Sequence, residues 1–145
     1  MTQRTNKGCP IILQHARIYK SAEDQAVGDG ATAEVVLDGS SHDNKQAQLV
    51  GGVDVAGNEI MITEAGYYLL HGKVQCTTDG TLDIYSDTTE IASSGVQAAN
   101  AEVTTIQYLA AGVAISMKFT DVAGGSSLIK GSANTYLEVS QLMGG

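Results

Sequence analysis

Three histidines, His15, His42 and His71, are the side chains of this sequence best suited to proton transfer near neutral pH. They show no His-x-His spacing, so a paired-histidine metal site is not indicated. His42 stands between Ser41 and Asp43, which are the residue types of a serine triad. Neighbours in sequence point apart and cannot converge as a triad, so a turn is predicted here. His71 follows an apolar run and is predicted to lie on a strand face.

Two glycine-rich or acidic patterns suggest ligand binding at first sight. Gly28 to Ala33 matches Gly-x-Gly-x-x-Ala, but a dinucleotide site needs a strand before this pattern and a helix after it. A polar loop precedes it here and a β-like run follows, so no nucleotide site is predicted. Residues 54–59 and 121–125 offer oxygens to Ca²⁺ without the 12-residue spacing of an EF-hand. Solvated acidic turns are predicted at both places.

Two carboxylate pairs, Asp79 with Asp83 and Asp87 with Glu90, have the residue types of a glycosidase. Spacing gives no distance between the members of either pair, and the chain contains no Trp to stack on a sugar. We therefore predict no catalytic residue, no cofactor and no metal. A hydrolase is kept as the third function hypothesis, after the two non-enzymatic ones given at the end of this section. Cys9 and Cys76 are predicted as two independent thiols, with a disulfide between them left open.

Length and composition indicate one domain of ordinary character. The chain has 145 residues and 43% hydrophobic residues, and its mean hydropathy is −0.01. This size buries perhaps two-thirds of the unfolded surface. The sequence contains no apolar run of about 18 residues for a transmembrane helix. Its polar start predicts no secretory leader, so synthesis in the cytoplasm is expected.

The elements that must position these residues are predicted to be short strands. Clusters of Gly, Asp, Asn and Ser recur every 8 to 15 residues, which is typical of a sandwich. Alternating and β-branched runs predict about ten strands and no convincing helix. Each strand has one apolar face to bury, so two packed antiparallel sheets are expected. The predicted strands cover residues 11–19, 33–37, 47–55, 59–62, 67–76, 81–85, 90–92, 102–109, 113–119, 128–129 and 135–142.

Charge divides the chain into two parts, residues 1–20 and residues 21–145. The first carries a charge of +4 and no acid, and the second carries −12. The first part is predicted to be either a first strand with a soluble leader or an arm that lies on a neighbouring subunit or on a partner surface. Nucleic acid is not indicated as a partner, because the acidic body would repel it. The predicted partner contacts are Arg4, Lys7, Ile11, Ile12, Leu13, Arg17 and Lys20.

Four segments carry a family resemblance. They are residues 62–70 (ITEAGYYLL), 82–88 (LDIYSDT), 106–117 (IQYLAAGVAISM) and 134–142 (NTYLEVSQL). Together they resemble the turn, strands and hairpin of the C1q and tumour-necrosis-factor-like jelly roll, over residues 33–142. The sequence departs from that family in having a single Phe, Phe119, and in placing Val113 where the family has an acidic residue after the hairpin glycine.

Short jelly rolls rich in Gly and Ala also resemble the head decoration, or cement, proteins of bacteriophages. This resemblance implies an all-β antiparallel jelly-roll sandwich of about 8–10 strands, with residues 1–20 as an extended N-terminal arm and residues 21–145 as the domain. The implied partners are the major capsid protein and further copies of the chain, as a dimer or trimer on the outer surface of a virion, with no membrane partner. The alternative is a receptor- or glycan-binding tip of a phage fibre, with contacts in residues 93–100 and 121–127.

Overall fold

Two five-stranded sheets and a short ribbon make up the part of the chain that the structure describes. The computed structural model describes residues 13–43 and 58–144. All regular elements in these two ranges are β-strands, and no helix in them is long and apolar enough to cross a membrane. The strands are β1 (His15–Tyr19), β2 (Gln25–Val27), β3 (Thr32–Glu34), β4 (Gly39–Asp43), β5 (Ile60–Met61), β6 (Gly66–Gln75), β7 (Gly80–Ser86), β8 (Thr89–Gln97), β9 (Asn100–Leu109), β10 (Ala114–Asp121), β11 (Ser126–Leu128) and β12 (Tyr136–Gly144).

The sheets exchange strands in a jelly-roll order, and every pairing is antiparallel. Sheet 1 has the order β4-β1-β12-β6-β9, and sheet 2 has the order β3-β10-β7-β8 with β5 pairing with β10. The ribbon joins β11 to β2. Neighbours in a sheet therefore come from distant parts of the chain, as when β12 lies between β1 and β6. The predicted all-β antiparallel jelly roll is confirmed.

A single apolar core lies between the two sheets. On β10 the alternation of Ile115, Met117 and Phe119 predicts one buried face, and all three side chains are completely buried. Sheet 1 supplies the facing layer from the alternate residues of its own strands. The largest completely buried side chains are Ile18, Leu37, Ile62, Tyr68, Leu70, Leu82, Ile84, Ile115, Met117, Phe119, Leu128 and Leu137.

Two glycines allow close approaches inside this core. A Cβ at Gly72 of sheet 1 would lie 2.5 Å from Sδ of Met117 in sheet 2. A Cβ at Gly80 would lie 2.0 Å from Cζ of Phe119. Both distances are far below ordinary contact, so the missing side chain of Gly72 lets the two sheets approach at Met117, and that of Gly80 leaves room for the Phe119 ring within sheet 2.

Residues 13–20 belong to the body of the domain and not to a separate arm. Ala16 and Ile18 are buried in the core, and β1 lies inside sheet 1 between β4 and β12. Of the two alternatives for the N-terminal part, His15–Tyr19 therefore forms the first strand. Residues 1–12, the rest of the predicted arm, lie outside the described residues.

Two further local predictions differ from the structure, and a third is not tested by it. The predicted loop over residues 93–100 is wrong, because β8 continues to Gln97 and β9 begins at Asn100. Ser93, Val96 and Gln97 pair with β7 across a shift of register, and the small residues of the segment bring no apolar pattern that would reveal a strand. The predicted turn around Ser41, His42 and Asp43 is also wrong, since β4 pairs there with β1. The predicted strand over residues 47–55 lies outside the described residues.

Candidate functional site

The outer face of sheet 1 is built by the strict alternation of β6. Residues Tyr68, Leu70 and Val74 of this strand point into the core and are completely buried. Tyr67 points to the opposite side and is 46% exposed. Because successive residues of a strand point to opposite faces, Leu69, His71 and Lys73 share the outer face with Tyr67.

A bulge in β12 places two adjacent apolar side chains on this outer face. The register with β6 shifts between Gln141 and Met143, so Leu142 is an extra residue. Gln141 is buried, and its side chain donates to Oε1 of Glu64 at 3.0 Å and accepts from the backbone nitrogen of Gln14 at 3.0 Å. These hydrogen bonds hold Gln141 inward at the bulge. The next two residues are exposed, Leu142 by 43% and Met143 by 58%. A bulge re-aims side chains in this way.

Strand β9 completes an exposed cluster that we call the apolar patch. Tyr108 of β9 is in register with Tyr67 of β6, and their rings meet edge to face with centroids 5.3 Å apart. Ile106 lies two residues before Tyr108 on β9, on the same face, and is 60% exposed. Exposed apolar side chains are unremarkable singly but are informative when they cluster. The apolar patch consists of Tyr67, Ile106, Tyr108, Leu142 and Met143.

A charged zone adjoins the apolar patch on the same face. His15 Nε2 and Glu138 Oε2 are 3.0 Å apart, and His71 Nε2 contacts Glu102 Oε2. The His71 ring packs edge to face on the Tyr136 ring, with centroids 5.3 Å apart. We call this region the charged zone; its members are His15, Arg17, His71, Lys73, Glu102, Tyr136 and Glu138.

Cations in the charged zone are held by contacts within the chain. The Arg17 guanidinium lies 3.8 Å above the centre of the Tyr136 ring and donates to the Ser132 carbonyl. Lys73 Nζ donates to the Ala133 carbonyl at 3.2 Å. Burial raises the pKa of Tyr136, and the nearby Arg17 acts in the opposite direction. The Tyr136 hydroxyl therefore stays neutral at physiological pH.

The charged zone holds equal numbers of cations and carboxylates, although the chain is strongly acidic. The described residues include five Lys or Arg and fifteen Asp or Glu. The charged zone contains two cations, Arg17 and Lys73, and two carboxylates, Glu102 and Glu138. Identical copies of an acidic chain repel one another over most of their surface. The balanced charged zone lacks this excess of carboxylates.

The predicted partner contacts fall into three groups. Arg4, Lys7, Ile11 and Ile12 lie outside the described residues. Leu13 is 37% exposed and lies next to Gln14, which bonds to β12 beside the bulge. Arg17 belongs to the charged zone.

The sequence predicts Lys20 as a partner contact, but the structure buries this residue. Lys20 is 3% exposed, and its backbone nitrogen donates to the Thr135 carbonyl oxygen at 3.0 Å. Desolvation lowers the pKa of Lys20, against the attraction of Asp38, Asp24 and Glu23. A contact between Lys20 and a partner stays a prediction, and it requires this residue to leave its buried position.

The other chemistry-bearing residues have structural roles. Asp121 accepts from Thr78 Oγ1 at 2.7 Å and from the backbone nitrogens of Gly30 and Gly125 at 3.0 and 2.9 Å, which ties three loops together. Cys76 is a free, buried thiol whose pKa is raised by burial. Among the described residues no group of three His, Cys, Asp or Glu side chains is arranged to hold a metal ion.

Solved structures with the same architecture share this sheet arrangement over nearly the whole chain. Eiger TNF from S. frugiperda superposes with a TM-score of 0.66 and 11% identity, covering 92% of this chain and 94% of that one. The fold is the TNF-like jelly roll. Murine APRIL gives a TM-score of 0.65 at 13% identity over 90% of this chain and 100% of its own. Bushbaby GITRL gives 0.59 at 14% identity, with 92% and 96% covered.

No family model matches this chain, and no curated protein matches it. Identities of 11 to 14% establish the fold of this TNF-like jelly roll and nothing about its partners. The resemblance to the C1q and TNF-like jelly roll is thus confirmed for the architecture. The phage decoration protein stays a prediction.

Sequence reasoning missed the apolar patch. Its residues come from β6, β9 and β12, and alternation predicts which side of each strand is apolar without showing which strands become neighbours. One signal was available in Tyr67-Tyr68. Two consecutive aromatic residues in an alternating strand put one of them on each face, so one aromatic ring had to point away from the core.

Proposed function

We propose that this chain is a structural, self-associating protein that decorates the outer face of a bacteriophage head shell. The observation that carries self-association is the apolar patch of an acidic chain, which adjoins a charged zone with equal numbers of cations and carboxylates. Five apolar side chains are exposed there together, two of them aromatic. Aromatic residues and Met are enriched in the centres of protein interfaces. A second copy of this chain is the occupant that the charge balance favours.

The virion assignment is supported by the sequence. The segments rich in Gly and Ala resemble short phage jelly rolls, and the four bases within residues 1–20 have no acidic counterpart there. Of these bases, Arg4 and Lys7 precede β1 in the sequence, and the proposal assigns them to contacts with the major capsid protein. The role is mechanical, and the proposal includes no catalytic step, cofactor or metal.

Self-association is tested by replacing the centre of the apolar patch. We expect the wild-type chain to form a dimer or trimer in sedimentation equilibrium at neutral pH. The double variant Ile106→Ser/Tyr108→Ser should associate at least about 30-fold more weakly, since buried aromatic anchors contribute about 2 kcal/mol each. Val96→Ser is the matched control, because Val96 is 65% exposed on β8 of sheet 2. A monomeric wild-type chain, or equal loss in the control, contradicts the proposed surface.

Attachment to a shell is tested by co-sedimentation with capsids. A deletion of residues 1–12 leaves β1 intact, whereas a deletion through Lys20 would remove an interior strand of sheet 1. We expect the shorter deletion to keep the fold and to lose co-sedimentation with capsids. Unchanged co-sedimentation contradicts the arm.

The fibre-tip alternative makes a different prediction. The Gly-rich loop between β10 and β11 exposes Val122 by 51% and contains Gly124 and Gly125 with positive φ angles of 93° and 78°. A receptor- or glycan-binding tip predicts that isolated protein binds host cells without any capsid. Substitution of Val122 by Asp should then abolish cell binding, while a decoration protein shows no cell binding to lose.

A further inference from the structure

Strand β9 forms an edge of sheet 1 that lacks the usual protection against pairing with another chain. Edge strands are normally short, bulged or charged, because their free backbone groups can pair with a further strand. Among the other edges in the described residues, β3 has three residues, and the ladders of β4 and β8 contain shifts of register. Strand β9 has ten residues and pairs with β6 through all of them without a shift. It is therefore the longest and most regular of these edges.

Alternate backbone groups of β9 point away from sheet 1. The Cys76 nitrogen donates to the Ala99 carbonyl at 2.8 Å, at the end of the ladder with β6. Because the direction of the backbone groups alternates along a strand, odd-numbered residues of β9 face β6 and even-numbered ones face outward. The Glu102 nitrogen accordingly donates to Oε1 of Gln97 at 2.8 Å, outside the ladder. Three more outward-facing residues follow, and no described strand lies beyond β9 to pair with them. They are Thr104, Ile106 and Tyr108.

The part of β9 with free backbone groups carries no charge. Residues 103–109 read VTTIQYL, without an acid or a base, in a chain with a net charge of −8. Copies of an acidic chain repel one another over most of their surface, and this edge has no charge to repel a second copy. Ile106 and Tyr108 also expose apolar side chains of the apolar patch at this edge. The edge is thus continuous with the surface that the proposed function assigns to a second copy.

We propose that two copies of this chain pair antiparallel along β9, around a two-fold axis at Ile106, and join their two five-stranded sheets into one. This inference rests on the proposed self-association and specifies its geometry. A two-fold contact uses the same surface on both copies. In strand addition, main-chain hydrogen bonds supply the affinity and side chains supply the specificity.

The register follows from which backbone groups are free. Gln97 already occupies the Glu102 nitrogen, so the free residues are Thr104, Ile106 and Tyr108. Only a register centred on Ile106 pairs these three with one another. Ile106 then lies opposite Ile106 of the second copy, and Thr104 lies opposite Tyr108, each pair exchanging two main-chain hydrogen bonds. Pairs of an aromatic and a β-branched residue are favourable across strands, and Glu102 stays outside the paired segment.

Removal of one outward N–H group tests the pairing directly. Thr104→Pro deletes this donor and leaves the hydrogen bonds to β6, because proline is tolerated on an edge strand where the N–H faces outward. We expect the association constant in sedimentation equilibrium at neutral pH to fall at least about 30-fold, since each dimer loses two main-chain hydrogen bonds. Thr104→Val keeps the N–H and a β-branched side chain, so it should associate as the wild-type chain does. Urea denaturation shows whether both variants are folded.

Disulfide trapping gives a second readout, which decides the question if Thr104→Pro does not fold. All variants carry Cys9→Ser, and the remaining thiol, Cys76, is buried. Ile106→Cys should give a disulfide-linked dimer with a mild oxidant, because residues opposite one another in a hydrogen-bonded pair have Cα atoms about 5.5 Å apart, within the range of a disulfide. Val96→Cys, at a position 65% exposed on β8, is the control and should stay monomeric under oxidation.

Two further cysteine variants test the register. Thr104→Cys alone and Tyr108→Cys alone should give little disulfide-linked dimer, because the two-fold axis places each cysteine about 14 Å from its own copy. A mixture of the two variants should give a linked heterodimer. Linked dimers of either variant alone, without the heterodimer, would contradict this register.

The outcomes separate the strand pairing from the proposed function. If folded Thr104→Pro still associates like the wild-type chain, or if an associating Ile106→Cys variant forms no disulfide, the strand pairing is wrong and self-association stands. A wild-type trimer also contradicts the pairing, because a two-fold contact closes with two copies. A wild-type chain that is monomeric overturns both the pairing and the proposed function.

Discussion

Neighbouring tyrosines of β6 experience opposite environments on the two sides of sheet 1. Tyr68 is completely buried, and its hydroxyl donates to the Glu64 carbonyl at 2.6 Å. Tyr67 is 46% exposed and packs against Tyr108, itself 52% exposed. The inner side is thus completed by the chain's own second sheet, whereas the outer side ends in exposed aromatic rings. One chain is sufficient to bury the first set and not the second.

This difference separates stability from association. Inner residues contact the opposite sheet and determine the free energy of unfolding. Outer residues lose little exposed area when one chain folds, so their replacement should change contacts between chains instead. Substitutions on the inner side are therefore expected to change the free energy of unfolding, and substitutions on the outer side to change the association constant.

The largest effect is expected from the inner side, at Phe119. Phe119→Ala should lower the free energy of unfolding by about 3–5 kcal/mol, because a large ring is deleted from a completely buried site. Urea denaturation measures this loss, and both sheets should unfold in one transition because they share one core. Val122→Ala, three residues along in the loop after β10, is the control and should change stability by less than about 0.5 kcal/mol. Separate transitions for the two sheets would contradict a shared core.

The structure also shows how far sequence reasoning reaches. Alternation predicted the buried face of β10 because each inward position needs an apolar side chain of its own. The same reasoning failed for β8, an edge strand in which Ser93 pairs with Asp83 and Val96 with Thr81 across a shift of register, while the Ser94 hydroxyl accepts from the Leu82 nitrogen. Backbone hydrogen bonds leave no apolar pattern in the sequence, so such a strand reads as a loop.

Contacts across sheet 1 were beyond prediction for another reason. His15 and Glu138 are 123 positions apart, and His71 and Glu102 are 31 apart. Only the strand order brings each pair together, and one sequence does not specify that order. The resemblance of four segments to a known jelly roll gave the architecture. It gave neither the bulge at Leu142 nor the apolar patch, which depend on register.

An intermediate effect is expected from the two neighbouring tyrosines. Tyr68→Phe removes the bond to the Glu64 carbonyl and should lower the free energy of unfolding by about 1 kcal/mol, with no change in association. Tyr67→Ser should leave stability within about 0.5 kcal/mol and weaken association about tenfold or more. Urea denaturation and sedimentation equilibrium on both variants provide the comparison. If both variants change the free energy of unfolding, or both change the association constant, then the inner side of the sheet is not specific to stability nor the outer side to association.

The smallest effect is expected from Asp121 and appears in the pH dependence of stability. Hydrogen bonds from Thr78 and from the backbone nitrogens of Gly30 and Gly125 lower the pKa of this carboxylate. A lowered pKa contributes stability that is present above the pKa of the unfolded chain and is lost as the pH falls through the folded value. The urea midpoint of the wild-type chain should therefore fall between pH 5 and pH 3. In Asp121→Asn it should be lower at pH 5 and fall less, because the amide does not titrate.

Replacement of an exposed carboxylate gives the control for Asp121. Glu90→Gln, on β8, should leave the acid-induced fall of the urea midpoint unchanged. An equal fall in wild type and Asp121→Asn would show that other carboxylates carry the acid sensitivity.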